Sequence, residues 1–156
     1  PGGGREVAKR KDEKYQLIWK NRMGFARLAI EHGYPIVPFA AVGAEEAVDI
    51  VLDGDSPLMA PVRRLITNVL GSPEVPPMVR GIGLTPIPRP ERQYYWFGEP
   101  ILTASAMGRH GEDRVVRGVR EEAKTAIEAR IEFLLEQRDA DPNRSVVKRL
   151  LGPERR

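Results

Sequence analysis

Pro35-Ile36-Val37-Pro38-Phe39-Ala40-Ala41-Val42 is a short, almost wholly apolar run bounded by Gly33 and Gly43. A run of this length and composition predicts a strand buried on both faces within an α/β sheet. Proline cannot donate to a ladder, so its two prolines put it near a sheet edge or leave only part of it paired. Just before it, residues 21–32 set Phe25, Leu28, Ala29 and His32 on one helical face, with Asn21 as N-cap and Gly33 as the stop.

Further out, the pattern alternates between classes. Residues 6–20 have no clean period and read as loop with at most one helical turn. Glu45 and Glu46 suit the first turn of a short helix. Ser56-Pro57 predicts a cap and first position for a helix reaching Leu70 and stopping at Gly71. Residues 73–90 hold six prolines and cannot be helical. Within and after them, Ile82-Gly83-Leu84 and Gln93-Tyr94-Tyr95-Trp96-Phe97 read as short strands around the Pro88-Arg89-Pro90-Glu91 turn. Val116, Val119, Ala123, Ile127, Ile131 and Leu134 recur at spacings of 3, 4, 4, 4 and 3, which predicts a long helix over 112–138, broken at Asp141-Pro142. Helix, strand, helix, strands, helix is an α/β order.

The chain has 156 residues, enough for one domain or part of one. With 41% hydrophobic and 30% charged residues it is too apolar to be intrinsically disordered. It has no cysteine, which excludes disulfides, thiolate metal sites and cysteine nucleophiles. His32 and His110 lie far apart without metal-ligand spacing, so no zinc site is expected from this chain alone. No apolar run approaches the ~18 residues of a spanning helix. The first residue is Pro1 and no signal peptide follows, so material upstream is expected to have been removed.

Charge is uneven. Up to Arg27, eight bases face three acids, a net of +5 in a chain of +3 overall. This end suits phosphates, a coenzyme or anionic lipid, or is simply a solvated face. No nucleic-acid-binding motif surrounds its aromatics Tyr15, Trp19 and Phe25, and nucleic acid is not the expected partner. From Arg144 on, five bases stand against Glu154.

Three segments in succession resemble the glycerolipid acyltransferase superfamily, which includes the lysophosphatidate and glycerol-phosphate acyltransferases. Pro1-Gly2-Gly3-Gly4-Arg5-Glu6 is similar to its third motif, commonly F-P-E-G-T-R and in a subgroup P-G-G-x-R-E. Asn21-Arg22-Met23-Gly24-Phe25-Ala26-Arg27-Leu28-Ala29-Ile30-Glu31-His32-Gly33 resembles the helix between the third and fourth motifs, close to the form N-R-x-G-F-x-x-L-A-x-x-x-G in the type 2 diacylglycerol acyltransferase branch. Pro35-Ile36-Val37-Pro38-Phe39 resembles the fourth motif, a buried V-P strand, and Trp96-Phe97-Gly98-Glu99-Pro100-Ile101 a late strand ending in F-G-x-P-I.

The resemblance implies an α/β fold that is the C-terminal part of a glycerol-phosphate-acyltransferase-like mixed-sheet domain with a long C-terminal helix, over residues 1–140, with a basic tail over 141–156. It implies transfer of a fatty acyl group from acyl-CoA to a glycerolipid hydroxyl, with acyl-CoA as co-substrate and no cofactor. Gly2, Gly3, Gly4 and Arg5 are then the substrate-binding residues: glycine N–H groups point into the pocket, and Arg5 supplies a planar charged fork. Gly2 stands where F-P-E-G-T-R carries glutamate, which leaves neutral acceptors open. The partners implied are acyl-CoA, a glycerolipid acceptor and a membrane surface on the cytoplasmic face, bound peripherally. The family's first motif, H-x-x-x-x-D, is not in this chain: His32 is followed five residues on by Val37, and His110 by Val115. The catalytic His and Asp are therefore expected upstream.

Each residue has a simpler reading. The glycines make a flexible terminus, and Arg5 a surface ion pair with Glu6 or Asp12. His32 favours a helix dipole, His110 is an exposed loop residue, and Glu45 and Glu46 are first-turn acids. Trp19 sits at a membrane interface or in the core. The competing function is a non-catalytic lipid- or coenzyme-binding module.

Overall fold

The computed structural model describes residues 2, 6, 9–54, 56–71, 77–144, 146 and 149. In chain order they form helix α1 (Gly24–His32), strands β1 (Phe39–Val42) and β2 (Asp49–Leu52), helix α2 (Ala60–Leu70), strands β3 (Met78–Arg80) and β4 (Tyr94–Phe97), and helix α3 (Asp113–Ala140). Short 3-10 turns lie at Ala44–Glu46, Pro57–Met59 and Ala104–Ala106. The chain is mixed α/β, with two small antiparallel sheets and a long C-terminal helix, and it divides into two compact units.

The first unit comprises Trp19–Val42 and Tyr94–Asp141. α3 is 28 residues, about 42 Å long, and carries the packing. Val116 from α3 meets Ala26 and Ile30 from α1, all three sealed from solvent. Burying Ile30 and Val116 stabilises the unit by roughly 1.5–3 kcal/mol each. β1 and β4 pair antiparallel, Phe39 opposite Phe97 and Val42 opposite Tyr94. α3 also packs on β1, and Ala40 and Val42 are buried while Phe39 and Ala41 are exposed.

Two buried polar groups fix the joints. Arg120 on α3 is 8% exposed, a position where an unpartnered charge is costly. Its Nη2 donates to Lys20 O at 2.5 Å and its Nε to Arg22 O at 3.2 Å. Glu121 pairs with the remaining nitrogen, and the guanidinium lies 5.7 Å from the Trp19 ring centroid. This clamp holds Lys20 at φ +48, in the left-handed region that most side chains avoid. Thr103 Oγ1 lies 2.9 Å from Ala29 O in α1 and 2.7 Å from Tyr34 O just beyond it, and its one hydroxyl proton serves either carbonyl in turn.

The second unit holds the described residues of Gly2–Ile18, Gly43–Gln93 and Pro142–Arg156. β2 pairs antiparallel with β3, Asp49 opposite Arg80 and Ile50 opposite Val79, with a register irregularity between Ile50 and Leu52. That irregularity falls at Val51, and a bulge re-aims the residue it inserts.

Several expectations need correction. The 35–42 run is buried on one face only: its regular strand begins after Pro38, its one ladder partner among the described residues is β4, and Ile36 makes a lone bridge to Ile101. α1 begins at Gly24 with Met23 at its N-cap and no side-chain cap, so Asn21 does not cap it, and Ile30 rather than Leu28 faces the core. Gly33 does end it, at φ +67. Glu45 and Glu46 open only one 3-10 turn, and strand β2 follows where a short helix was expected. A 3-10 turn precedes α2, without a side-chain cap from Ser56. Residues 82–84 are not a strand, because Gly81 and Ile82 donate to Thr85 O and Ile87 O in a tight loop, and the strand is Met78–Arg80. α3 starts at Asp113 and runs two residues past the expected Arg138. No helix of the described residues is long and apolar enough to cross a membrane.

Candidate functional site

In the second unit, residues 9–18 wrap back along the Ala44–Glu46 turn, and two adjacent carboxylates hold them there. Lys9 Nζ lies 2.7 Å from Glu45 Oε1, and the Tyr15 backbone N–H donates to Glu45 Oε2 at 2.7 Å. Lys14 Nζ lies 3.1 Å from Glu46 Oε1, and the Tyr15 hydroxyl donates to Glu46 Oε2. That hydroxyl oxygen also accepts from Gly43 N at 3.1 Å. With these three hydrogen bonds, Tyr15 is held at φ +60. The two glutamates are therefore anchors for the basic segment, beyond the first-turn role expected of them.

Gly43 is required at this corner. It adopts φ +108, and a Cβ there would run into Arg92 O. Next to it, Arg89 binds the far side of the turn. Its Nη1 and Nη2 meet the Asp49 carboxylate at 2.9 and 3.0 Å, while Nε and Nη2 donate to Glu46 O. The Arg89 hydrogen bonds hold the Asp49 carboxyl below its usual range, and Asp49 in turn raises Arg89.

Between the basic segment and the β2–β3 sheet lies a cavity of about 670 Å³, within the usual range for a small-molecule site. Lys9, Arg10, Lys11 and Lys14 line one part of it, and Val48, Ile50, Val51 and Val79 supply apolar surface. With Arg80, five bases stand against Glu6, Glu45 and Asp49, so its charge is net positive. Lys11, Val51 and Arg80 line it and are exposed. Cationic side chains beside an aliphatic wall suit an amphiphile with an anionic head.

Of the four expected substrate-binding residues, Gly3, Gly4 and Arg5 lie outside the described residues. Gly2 is buried, and a Cβ on it would collide with the Glu6 side chain. Glu6 is fastened by accepting from Ile18 N at 2.6 Å and lines the cavity. Gly2 and Glu6 belong to the second unit, whereas α1 and the V-P strand belong to the first. His32 is exposed in the last turn of α1, its ring stacked on Tyr34 at 5.4 Å. His110 is half-buried rather than exposed, its backbone oxygen accepting from Arg27 and its Nδ1 buried without a partner. Trp19 is 3% exposed, which settles it in the core. Among the described residues, no group of three or more His, Asp or Glu could hold a metal ion.

Sequence reasoning missed Glu45, Glu46, Asp49 and Arg89 as site-builders. Their partners lie 30 to 43 residues away, and no local spacing announces such pairs. It also missed the aliphatic wall, whose strands are only four and three residues long.

Comparison with known proteins supports a lipid acyltransferase family, without distinguishing its branch. The chain is 34% identical over 166 residues to "Phytyl ester synthase 1, chloroplastic" of Arabidopsis thaliana and 32% identical over 168 residues to "Phytyl ester synthase 2, chloroplastic" of the same plant. Those similarities cover 96% and 97% of this chain but 23% of either relative, so the chain spans about a quarter of their length. A 38-residue stretch, 24% of this chain and 11% of the relative, is 55% identical to the mouse "DGAT1/2-independent enzyme synthesizing storage lipids". No family model matches the chain. No solved structure matches it.

Proposed function

We propose that this chain is part of an acyl-CoA-dependent lipid O-acyltransferase, and that its second unit holds an acyl-bearing, anionic substrate. The observation that carries the reading is the cavity, which sets a net positive charge beside an aliphatic wall and is lined by Glu6, four residues after Gly2. Similarity over nearly all of this chain to part of two proteins named phytyl ester synthases supports it. In the proposed reaction a histidine outside these 156 residues takes the proton of the acceptor hydroxyl. The hydroxyl oxygen attacks the thioester carbonyl, an ester C–O bond forms as the C–S bond breaks, and the proton passes to the departing CoA thiolate. Gly2, Gly3, Gly4 and Arg5 bind the acceptor's head group, and Arg5 suits a phosphate oxygen where the acceptor carries one. The reaction takes place at a membrane surface, with the protein bound peripherally on the cytoplasmic face. The name phytyl ester synthase favours a neutral alcohol among the acceptors, and diacylglycerol is the neutral glycerolipid that the reading leaves open.

The test is acyl transfer by the intact protein from labelled acyl-CoA, comparing lysophosphatidate with diacylglycerol. Arg5→Ala is expected to remove a charge-assisted hydrogen bond of roughly 1.5–3 kcal/mol to a phosphate-bearing acceptor. That is about 10- to 150-fold in kcat/KM, with little loss for diacylglycerol. Equal, small losses with both would make Arg5 structural, and no transfer to any acceptor would overturn the reading.

A further inference from the structure

Helix α2 carries its apolar stripe on the outside. Val62, Leu65 and Val69 follow one another at spacings of three and four, and Leu58 lies four residues before Val62 in the preceding turn. Such spacings bring side chains onto one helix face. All four are solvent-exposed, at 77% for Leu58, 43% for Val62, 65% for Leu65 and 71% for Val69. Other positions attach the helix to its unit: Met59 is buried and Arg63 Nη1 donates to Gly54 O at 3.2 Å. The stripe is thus a separate face from the one that packs.

The charge of the helix says what the stripe meets. Ala60–Leu70 contains no acid, and its two charged residues are Arg63 and Arg64, with Arg64 exposed. An aliphatic face beside basic residues, on a helix too short and too polar to span, is the pattern of a segment lying in a membrane interface. Anionic lipid headgroups supply the complementary charge. A protein groove would satisfy the aliphatic face alone and would not call for an acid-free helix.

We infer that α2 is a membrane-docking helix, inserting Leu58, Val62, Leu65 and Val69 among the acyl chains of an anionic lipid surface with Arg64 at headgroup level. This rests on the proposed peripheral membrane association and names the element responsible for it. Delivery of a water-insoluble acceptor is the consequence, because the unit that docks is the unit that holds the cavity.

These 156 residues have no cysteine, so Leu65→Cys gives this chain a single labelling site, and Thr67→Cys a control on an exposed position outside the stripe. Each carries an environment-sensitive fluorophore and is mixed with vesicles of phosphatidylcholine containing about a third phosphatidylglycerol. The expected result is blue-shifted emission, shielded from an aqueous quencher, for the label at 65 and water-like emission at 67. Arg64→Gln should weaken partitioning roughly fivefold, the value of about one well-placed base. Val69→Asp should weaken it at least about tenfold, since an added carboxylate opposes both terms. Vesicle binding with a water-like label at 65 would overturn the assignment to α2 while leaving peripheral association standing. No binding to anionic vesicles would overturn both. A blue shift at 65 without lipid, rising with protein concentration, would assign the stripe to a second copy of the chain instead.

Discussion

Lys9 and Glu45, 36 residues apart in sequence, meet at 2.7 Å, and this pair ties the basic segment to the Ala44–Glu46 turn that precedes β2. Because Glu45 also accepts from the Tyr15 backbone, it does more than neutralise a lysine. Glu45→Ala is expected to destabilise the second unit by about 1.5–3 kcal/mol, as for loss of hydrogen bonds to a charged group. Denaturant unfolding checks this, with Glu31→Ala on an exposed face of α1 expected to stay within about 0.5 kcal/mol of the parent.

Gly43 and Gly71 both adopt positive φ but differ in their surroundings. A Cβ at Gly43 meets the Arg92 carbonyl, whereas a Cβ at Gly71 meets nothing within 4 Å among the described residues. Gly71→Ala should therefore cost only the backbone term, about 1–2 kcal/mol, and Gly43→Ala clearly more, because displacing Arg92 loosens the turn that carries Glu45. Similar losses in thermal unfolding of the two variants would contradict this account of the corner.

The pH dependence follows from Asp49. Its folded-state pKa is lowered from the ordinary 3.8, chiefly by the hydrogen bonds from Arg89. Its contribution is thus complete above that value and is lost as pH falls through the lowered one. Glu112, held low by Arg109 at the N-cap of α3, acts in the same direction. Melting temperature followed from neutral pH down to about 3 should fall more steeply for the parent than for Asp49→Asn, the two curves converging at the acid end. Parallel curves would show that the pair contributes nothing.

The helices were legible because their signals are local. The spacing from Val116 to Leu134 gives α3 within two residues, and Gly33 and Gly71 end α1 and α2 as their conformational freedom predicts. β1 was legible in place but not in burial, since an apolar run looks the same whether one or two layers cover it. β2 and β3 were not legible: Asp49-Ile50-Val51-Leu52 follows two acids that favour a helix start, and Met78-Val79-Arg80 follows prolines. Of the candidate site, the sequence showed the basic run that includes Lys9, Arg10, Lys11 and Lys14, but not the carboxylates that arrange it, which are paired across the fold.

The uncovered face of the β1–β4 sheet has its own consequence. Phe39 lies 4.9 Å from Phe97 and 5.9 Å from Tyr95 by ring centroids, and the three are 44%, 70% and 55% exposed. Contiguous exposed aromatics favour association. The chain in isolation should self-associate at micromolar concentration, and Phe97→Ser should shift it towards monomer in sedimentation velocity. A monomeric parent would show that this face does not associate.

The most direct test of the cavity as the acyl-substrate site is the dependence of acyl transfer on donor concentration in the intact protein, comparing the parent with Val51→Glu. Val51 is 57% exposed, sits at the strand irregularity and lines the cavity. A carboxylate there should be tolerated by the fold while repelling an anionic acyl donor. The account predicts a rise of about tenfold or more in donor KM, equivalent to at least about 1.4 kcal/mol, with the melting temperature little changed. Leu84→Glu, at a position 87% exposed and outside the cavity lining, should leave that KM unaltered. An unchanged donor KM in Val51→Glu would contradict the claim that the substrate lies against this wall.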